Sequence, residues 1–196
     1  MKISFGINEV KLIRLCKKGD SKAQFRLYKL YSKAMFNIAI RMTGNRAEAE
    51  DVVQDAFIKA FTEIEKLNNE NAFGGWLKRI VINRSLDEIK KRKINYLEID
   101  SINEKQINSY YEIEEETDPE AVHHLIKKLP DGAREILVLR ALEGYKHAEI
   151  AEKLKISEST AKTQFFRAKH LLGKLIKDSD YEIGNRKIPQ EKQIKA

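Results

Sequence analysis

Residues 149–169 read EIAEKLKISESTAKTQFFRAK and decide the fold of the second half of the chain. A short helix is predicted to pack through Ile150, Ala151 and Leu154, followed by a tight turn at 155–157. Helical spacing gives the next helix the inward-facing residues Ala161, Phe165, Ala168 and Leu172. This is the pattern of a helix-turn-helix, whose second helix enters the DNA major groove. An ordinary helical hairpin is the alternative.

The rest of the second half fits the same helical domain. Asp118 and Pro119 are typical of a helix start, and a second helix is predicted from Pro130-Asp131 to Gly144. The helix after Ser157 is expected to end near Lys174, with a frayed polar tail after Ile176.

The first half predicts three long helices and a shorter lead-in helix near 8–18. Asp20 is placed to cap the first, and Gly44 suits the left-handed position after its end near Met42. Asn45 begins the second, which runs to about Lys66. A polar loop at 67–72 precedes the third helix, at 73–93.

The segment DVVQDAFIKAF, residues 51–61, belongs to the second long helix and has two distinct faces. An apolar stripe faces the core, and the residues opposite it share one exposed face: Asp51, Gln54, Asp55 and Ile58. Such a mixed patch suits a protein partner, although a solvated helix face is the simpler interpretation. A di-metal site at Glu48, Asp51 and Asp55 is weaker, because it lacks the histidines that such bundles use.

The helix at 73–93, FGGWLKRIVINRSLDEIKKRK, places aromatic residues beside cations. Single-stranded nucleic acid needs this combination, since bases stack on rings while cations follow the backbone. A core position for Trp76 is at least as plausible as a stacking role. The cations at 90–93 also fit a solvated helix C-terminus.

Composition indicates an all-α protein with a polyanionic partner. Nine glycines and three prolines in 196 residues are few for a β-protein. The net charge of +7 is uneven, because 97–120 carries nine acids against Lys105 alone and the remainder is at +15. This segment predicts a mobile acidic linker between two small domains, and the basic remainder favours nucleic acid, although a merely soluble basic protein is also possible.

Several other classes of protein are disfavoured. Cys16 is the single cysteine, so neither an internal disulfide nor a multi-cysteine zinc site is expected. The sequence shows no signal peptide and no run long enough to span a membrane, so we expect a cytoplasmic protein without membrane insertion. It also lacks a phosphate loop, metal-ligand spacing or a nucleophile–base motif, so no catalytic residues, metal or cofactor are expected.

The motifs together resemble the extracytoplasmic-function sigma factors, which are minimal promoter-recognition subunits of bacterial RNA polymerase. The resemblance rests on the helix-turn-helix and on four further elements: TGN at 43–45, AEDVVQDAFIKAF at 49–61, FGGWLKRIVINRSLD at 73–87 and LPDGAREILVLRALEG at 129–144. A conventional repressor or response-regulator domain would leave the first half unexplained. A helical adaptor would show no salt-dependent DNA affinity.

The resemblance implies three functional surfaces. The face of Asp51, Gln54, Asp55 and Ile58 would dock on the β′ clamp of core RNA polymerase. Strand opening at the −10 element would involve Asn68, Asn69, Asn71, Phe73, Trp76, Arg79 and Asn83. The −35 element would meet Ser159, Thr160, Lys162, Thr163, Phe166 and Arg167. The implied partners are core polymerase (β′ clamp and β flap), promoter DNA and an anti-sigma factor.

The resemblance also sets domain boundaries and exposes departures from the family. The expected parts are a lead helix at 1–20, region two at 21–93, the linker at 94–118, region four at 119–176 and a polar tail at 177–196. Lys146 stands where a Ser or Thr cap is common. Gln164 replaces a common basic residue that would contact the DNA backbone.

Overall fold

The computed structural model describes residues 9–91 and 119–186, and every regular element within them is helical. The helices form two compact units, one within 9–91 and the other within 119–186. The all-α prediction is confirmed. The predicted mobile linker at 94–118 lies wholly outside the described residues, as do residues 187–196 of the predicted tail.

The first unit is a bundle of four helices: α1 (Glu9–Lys17), α2 (Ser21–Thr43), α3 (Arg46–Thr62) and α4 (Phe73–Lys90). In it α2, α3 and α4 pack against one another, and α1 packs on α2. Two 3-10 turns, Ile64–Lys66 and Glu70–Ala72, lie between α3 and α4. The central core residues are Ile13, Leu27, Met42, Phe57, Leu77 and Val81.

The predicted capping residues act as expected in this unit, although the second long helix ends at Thr62 rather than near Lys66. The Asp20 carboxylate accepts hydrogen bonds from the backbone N–H groups of Lys22 and Ala23, at 2.8 and 3.0 Å. Gly44 has φ +69°, the left-handed conformation that glycine adopts without strain. The Asn45 side chain accepts from the Glu48 N–H at 3.3 Å. These caps satisfy backbone groups that the helix ends would leave unpaired.

The second unit contains α5 (Pro119–Lys128), α6 (Asp131–Leu137), α7 (His147–Leu154) and α8 (Glu158–Arg186). The predicted helix from Pro130-Asp131 changes to a π-helical segment at Val138–Leu142. There the N–H of Glu143 bonds to the carbonyl of Val138, five residues back. Core residues from all four helices include Leu125, Ile136, Ile150, Ala161 and Leu172.

The long C-terminal helix corrects the predicted end near Lys174 and the expected fraying after Ile176. α8 continues to Arg186, and Ile176 is buried in the unit. The sequence contains no proline between Ser157 and Ile188, so every residue of α8 has a backbone N–H that can donate a helical hydrogen bond. The predicted polar tail is therefore helical over its described part.

The turn between α7 and α8 contains the positive-φ residue Lys155, the only non-glycine of this kind among the described residues. Its φ is +57°, a conformation that costs an ordinary side chain about 1–2 kcal/mol. Ser157 then caps α8, its hydroxyl accepting from the Thr160 N–H at 3.0 Å. The helix-turn-helix connection thus combines a strained residue with a favourable cap.

A buried arginine ties α5 to α6. Arg134 is 4% exposed, and its guanidinium donates to the carbonyls of Lys127 and Leu129 at 3.2 and 2.8 Å. The same guanidinium pairs with the Asp131 carboxylate. Arg134 therefore satisfies carbonyls at the end of α5 that have no helical partner.

Replacing Arg134 with Ala should destabilise the second unit by about 2–3 kcal/mol, because charged hydrogen bonds to buried groups are lost. Trp76, the only tryptophan, lies in the first unit, so its fluorescence follows that unit alone. In urea unfolding of the full chain, part of the circular-dichroism transition should shift while the Trp76 transition stays in place. Lys155→Gly is a control that should change the stability in the opposite direction. It should stabilise the same unit by about 1 kcal/mol, because glycine adopts the positive φ without strain. Unchanged unfolding of Arg134→Ala would contradict this role.

Candidate functional site

The predicted polar stripe of α3 lies at the protein surface. Asp51, Gln54, Asp55 and Ile58 are all exposed, and Ile58 presents 59% of its surface to solvent. The opposite side of the helix is buried through Val52, Val53, Ala56 and Phe57. Since one face is fixed in the core, the stripe is held outward as a surface of two carboxylates, an amide and an aliphatic side chain.

Sequence patterns do not identify two exposed aromatic residues on α2. Phe25 is 58% exposed and Tyr28 is 42% exposed. The Tyr28 ring contacts Phe57 of α3 edge-on, with centroids 4.9 Å apart, and Lys29 lies over the Phe25 ring at 4.9 Å. The available signal is their spacing of three residues, which places both rings on one side of the helix. They give α2 an exposed apolar group of its own.

The loop at 67–72 presents amide side chains. Asn68, Asn69 and Asn71 are exposed, whereas Leu67 is buried. The Asn69 side chain accepts from the Asn71 N–H at 3.0 Å and so caps the 3-10 turn Glu70–Ala72. Asn69 therefore shapes the loop, while Asn68 and Asn71 are exposed beside it.

The aromatic residues at the start of α4 differ in exposure. Phe73 is fully buried, which corrects its assignment as a DNA-contacting residue. Its ring packs against Tyr31 at 5.4 Å and Trp76 at 6.0 Å between centroids. Helical spacing places Phe73 in register with Leu77 and Val81, which are also buried. Trp76 is partly exposed, and the buried Phe73 ring packs against its core-facing side.

Arg79 and Asn83 follow Trp76 on successive turns of α4, and both are exposed. Spacings of three and seven residues from Trp76 place all three on one side of the helix. An indole, a guanidinium and an amide are thus aligned along one side of α4, the helix that follows the 67–72 loop.

The outward face of α8 carries the residues predicted for the helix-turn-helix. Ser159, Lys162 and Phe166 are exposed, the last by 47%, whereas Thr160, Thr163 and Arg167 are partly exposed. Lys162 pairs with Glu158 at 3.1 Å. The Thr163 hydroxyl donates to the Ser159 carbonyl at 3.0 Å. That bond engages the hydroxyl proton and leaves the Thr163 methyl group as a contact surface.

Two departures from the family pattern have structural explanations. Gln164 is 5% exposed and lies in the interior of the second unit, so it does not occupy the outward face. At the start of α7, the Glu149 carboxylate accepts from the Lys146 N–H at 2.7 Å. The helix start is therefore capped from within even though Lys146 lacks a hydroxyl.

His147 begins α7 beside this helix start, with its ring edge-on to Phe165 at 5.5 Å between centroids. Burial lowers the pKa of the His147 imidazole, and the nearby charges of Arg140 and Lys162 lower it further. His147 is thus biased toward the neutral form.

Comparison with known proteins defines the class. The Sigma-70 region 2 family matches residues 27–94 and the Sigma-70 region 4 family matches residues 120–172. The ECF RNA polymerase sigma factor SigW of Bacillus subtilis is 32% identical over 180 residues, which cover 86% of this chain and 96% of SigW. The ECF sigma-E factor of Escherichia coli K12 is 28% identical over 173 residues, covering 82% and 90%.

A solved structure agrees with the fold. The sigma factor RpoE of Bartonella quintana, solved with the anti-sigma factor NepR, has a TM-score of 0.50 and 22% identity, covering 78% of this chain and 95% of that one. With the similarity to SigW, the two region matches establish that this chain belongs to the ECF RNA polymerase sigma factor family. No helix within residues 9–91 and 119–186 is long and apolar enough to cross a membrane.

Proposed function

We propose that this sigma factor uses three separate surfaces to bring bacterial core RNA polymerase to promoters. The stripe on α3 binds the polymerase, the 67–72 loop with α4 captures bases of the −10 element, and α8 reads the −35 element. One observation supports the assignment most: of the residues predicted for these surfaces, every one except Phe73 is at least partly exposed.

Docking to the β′ clamp uses a surface that combines acidic, amide and apolar groups. Asp51 and Asp55 attract cations on the partner, Gln54 supplies an amide, and Ile58 gives an apolar contact. Phe25 and Tyr28 on α2 form a second exposed apolar group in the same unit, and exposed aromatic residues are often central in protein interfaces. The acidic groups also select the partner and orient it on approach.

Strand opening requires that a base leave the duplex and find a new partner. Extruding a base costs a few kcal/mol, and stacking on an aromatic ring returns about 1–3 kcal/mol per base. Trp76 supplies the ring, Arg79 a cation for the backbone, and Asn68, Asn71 and Asn83 supply amide groups that can bond base edges. Capture of unstacked bases would start opening without nucleotide hydrolysis, so we assign the chain no catalytic activity of its own.

Recognition of the −35 element divides between base reading and backbone binding. Lys162, Thr163 and Phe166 lie in the first half of α8, the part of a recognition helix that meets base edges. The methyl group of Thr163 suits the methyl of thymine, and the Lys162 ammonium suits guanine. Ser159, Thr160 and Arg167 lie at the edges of this face and suit phosphate.

The remaining partners follow from the family. A region-four domain of this kind would contact the β flap of the polymerase, and an anti-sigma factor would restrain the chain until its promoters are needed. The RpoE relative was solved with such a factor. Because the polymerase and the chromosome are cytoplasmic, we place the protein there.

Changing Asp51, Gln54 and Asp55 to Ala should weaken binding to core polymerase by at least about tenfold, as expected for loss of central interface residues. The fold should survive, because changes at exposed positions usually alter stability by less than about 0.5 kcal/mol. The control Glu65→Ala removes another exposed carboxylate of the same unit and should bind normally. Wild-type affinity in the triple variant would refute the assignment.

Replacing Lys162 with Ala should change the preferred −35 sequence, since a good base contact gives about 1–3 kcal/mol of discrimination. Replacing Arg167 with Ala should instead weaken all sequences alike and lower the slope of log affinity against log salt by about one. Selection from randomised −35 duplexes by the holoenzyme measures the preference, and binding titrations at several salt concentrations measure the slope. Lys174→Ala, farther along α8, is the control for loss of charge. An unchanged preference in the Lys162 variant would mean that this face does not read bases.

A further inference from the structure

Helix α1 lies outside the residues that match the region 2 family, yet its last turn contacts the 67–72 loop. The Lys17 ammonium donates to the Leu67 carbonyl at 2.8 Å and lies 3.4 Å from the Glu70 carboxylate. Arg14 is 3.9 Å from the same carboxylate. One side chain of α1 is thus bonded to two points of the loop, fifty and fifty-three residues away in sequence.

These contacts are partly shielded from water. The Lys17 and Glu70 side chains are 21% and 24% exposed, whereas Arg14 is 68% exposed. The pKa of the Glu70 carboxyl lies below its usual value, first because its own backbone N–H bonds to it and then because of Lys17 and Arg14. Lys17 is therefore the principal contact and Arg14 a secondary one.

The first turn of α1 acts on the other end of the loop through Tyr31. The Tyr31 hydroxyl donates to the Glu9 carboxylate at 2.5 Å, and burial raises the pKa of that hydroxyl, so it remains a donor. The Tyr31 ring packs edge-on against Phe73 and fills the space beside Gly74. A Cβ at Gly74 would lie 3.0 Å from the Tyr31 ring. Both ends of the loop are thereby linked to α1.

We propose that α1 is a positioning element for promoter opening, with Lys17 as the residue that fixes the 67–72 loop in its base-capturing conformation. The inference rests on the proposed role of that loop. Ordering a loop when it binds reduces affinity, so a loop already held in place captures an unstacked base more readily. Lys17 contacts the backbone and Glu70 and leaves Asn68 and Asn71 exposed, which is what a positioning residue should do.

The test uses the full chain in holoenzyme with a promoter that carries 2-aminopurine in the non-template −10 strand. Lys17→Met keeps much of the aliphatic length and removes the donor, and opening should slow by about tenfold, as for a misplaced binding group. Core binding and −35 duplex affinity should stay as in the wild type. Lys17→Arg should restore most of the rate, because a guanidinium can donate to both acceptors.

Two further variants test whether the charge or the specific contact with the loop matters. Lys18→Met removes the adjacent exposed charge and should open promoters normally, which separates positioning from overall charge. Glu70→Gln removes the charge from the loop side and should slow opening in the same direction as Lys17→Met. If Lys17→Met opened promoters at the wild-type rate, or also lost core binding, the proposed role of α1 would be overturned.

The loop variant Asn68→Ala with Asn71→Ala distinguishes this inference from the function on which it rests. Slow opening in the loop variant, with normal opening in Lys17→Met, overturns only the role of α1. Normal opening in both overturns the base-capturing role of the loop itself. Slow opening in both, with rescue by Lys17→Arg, supports the inference.

Discussion

Burial of the apolar stripe of α3 against α2 and α4 is the interaction on which the first unit depends. Val52, Val53 and Phe57 each contribute about 1.5–3 kcal/mol when buried, a large share of a typical net stability of about 5–15 kcal/mol. A helix so fixed cannot rotate, so Asp51 and Ile58 must face outward. The same constraint acts in the second unit, because burial of Ala161 and Ala168 holds Lys162 and Phe166 on the solvent-facing side of α8. In both units the core sets which residues a partner meets.

The proposed binding surfaces are preformed, and the one ion pair described on the α8 face is weak enough to exchange. Lys162 pairs with Glu158, but both side chains are about half exposed, and such surface pairs contribute only about 0–1 kcal/mol. A competing anion can therefore separate Lys162 from Glu158 at little free-energy cost. Arg134 differs, because its bonds are buried and serve stability alone. Lys155 is an exposed cation in a strained conformation, at a position where glycine would make the unit more stable.

Periodicity and capping chemistry predict most helices and the faces of α3 and α8, because both are local properties of the sequence. The contacts of Lys17 with the 67–72 loop join residues about fifty positions apart, and no local pattern contains them. Phe73 satisfies both a core pattern and a stacking pattern, and only its burial decides between them. The predicted end of α8 is too early because its polar residues resemble a frayed tail, although no proline stops the helix before Pro189.

This chain directs core RNA polymerase to specific promoters, and the proposed surfaces explain how it does so. The most direct measurement adds the purified protein to core polymerase on genomic DNA and maps the 5′ ends of the transcripts. We expect a discrete set of new start sites that share a −35 and a −10 element and are absent with core polymerase alone. Start sites indistinguishable from those of core polymerase alone would contradict it.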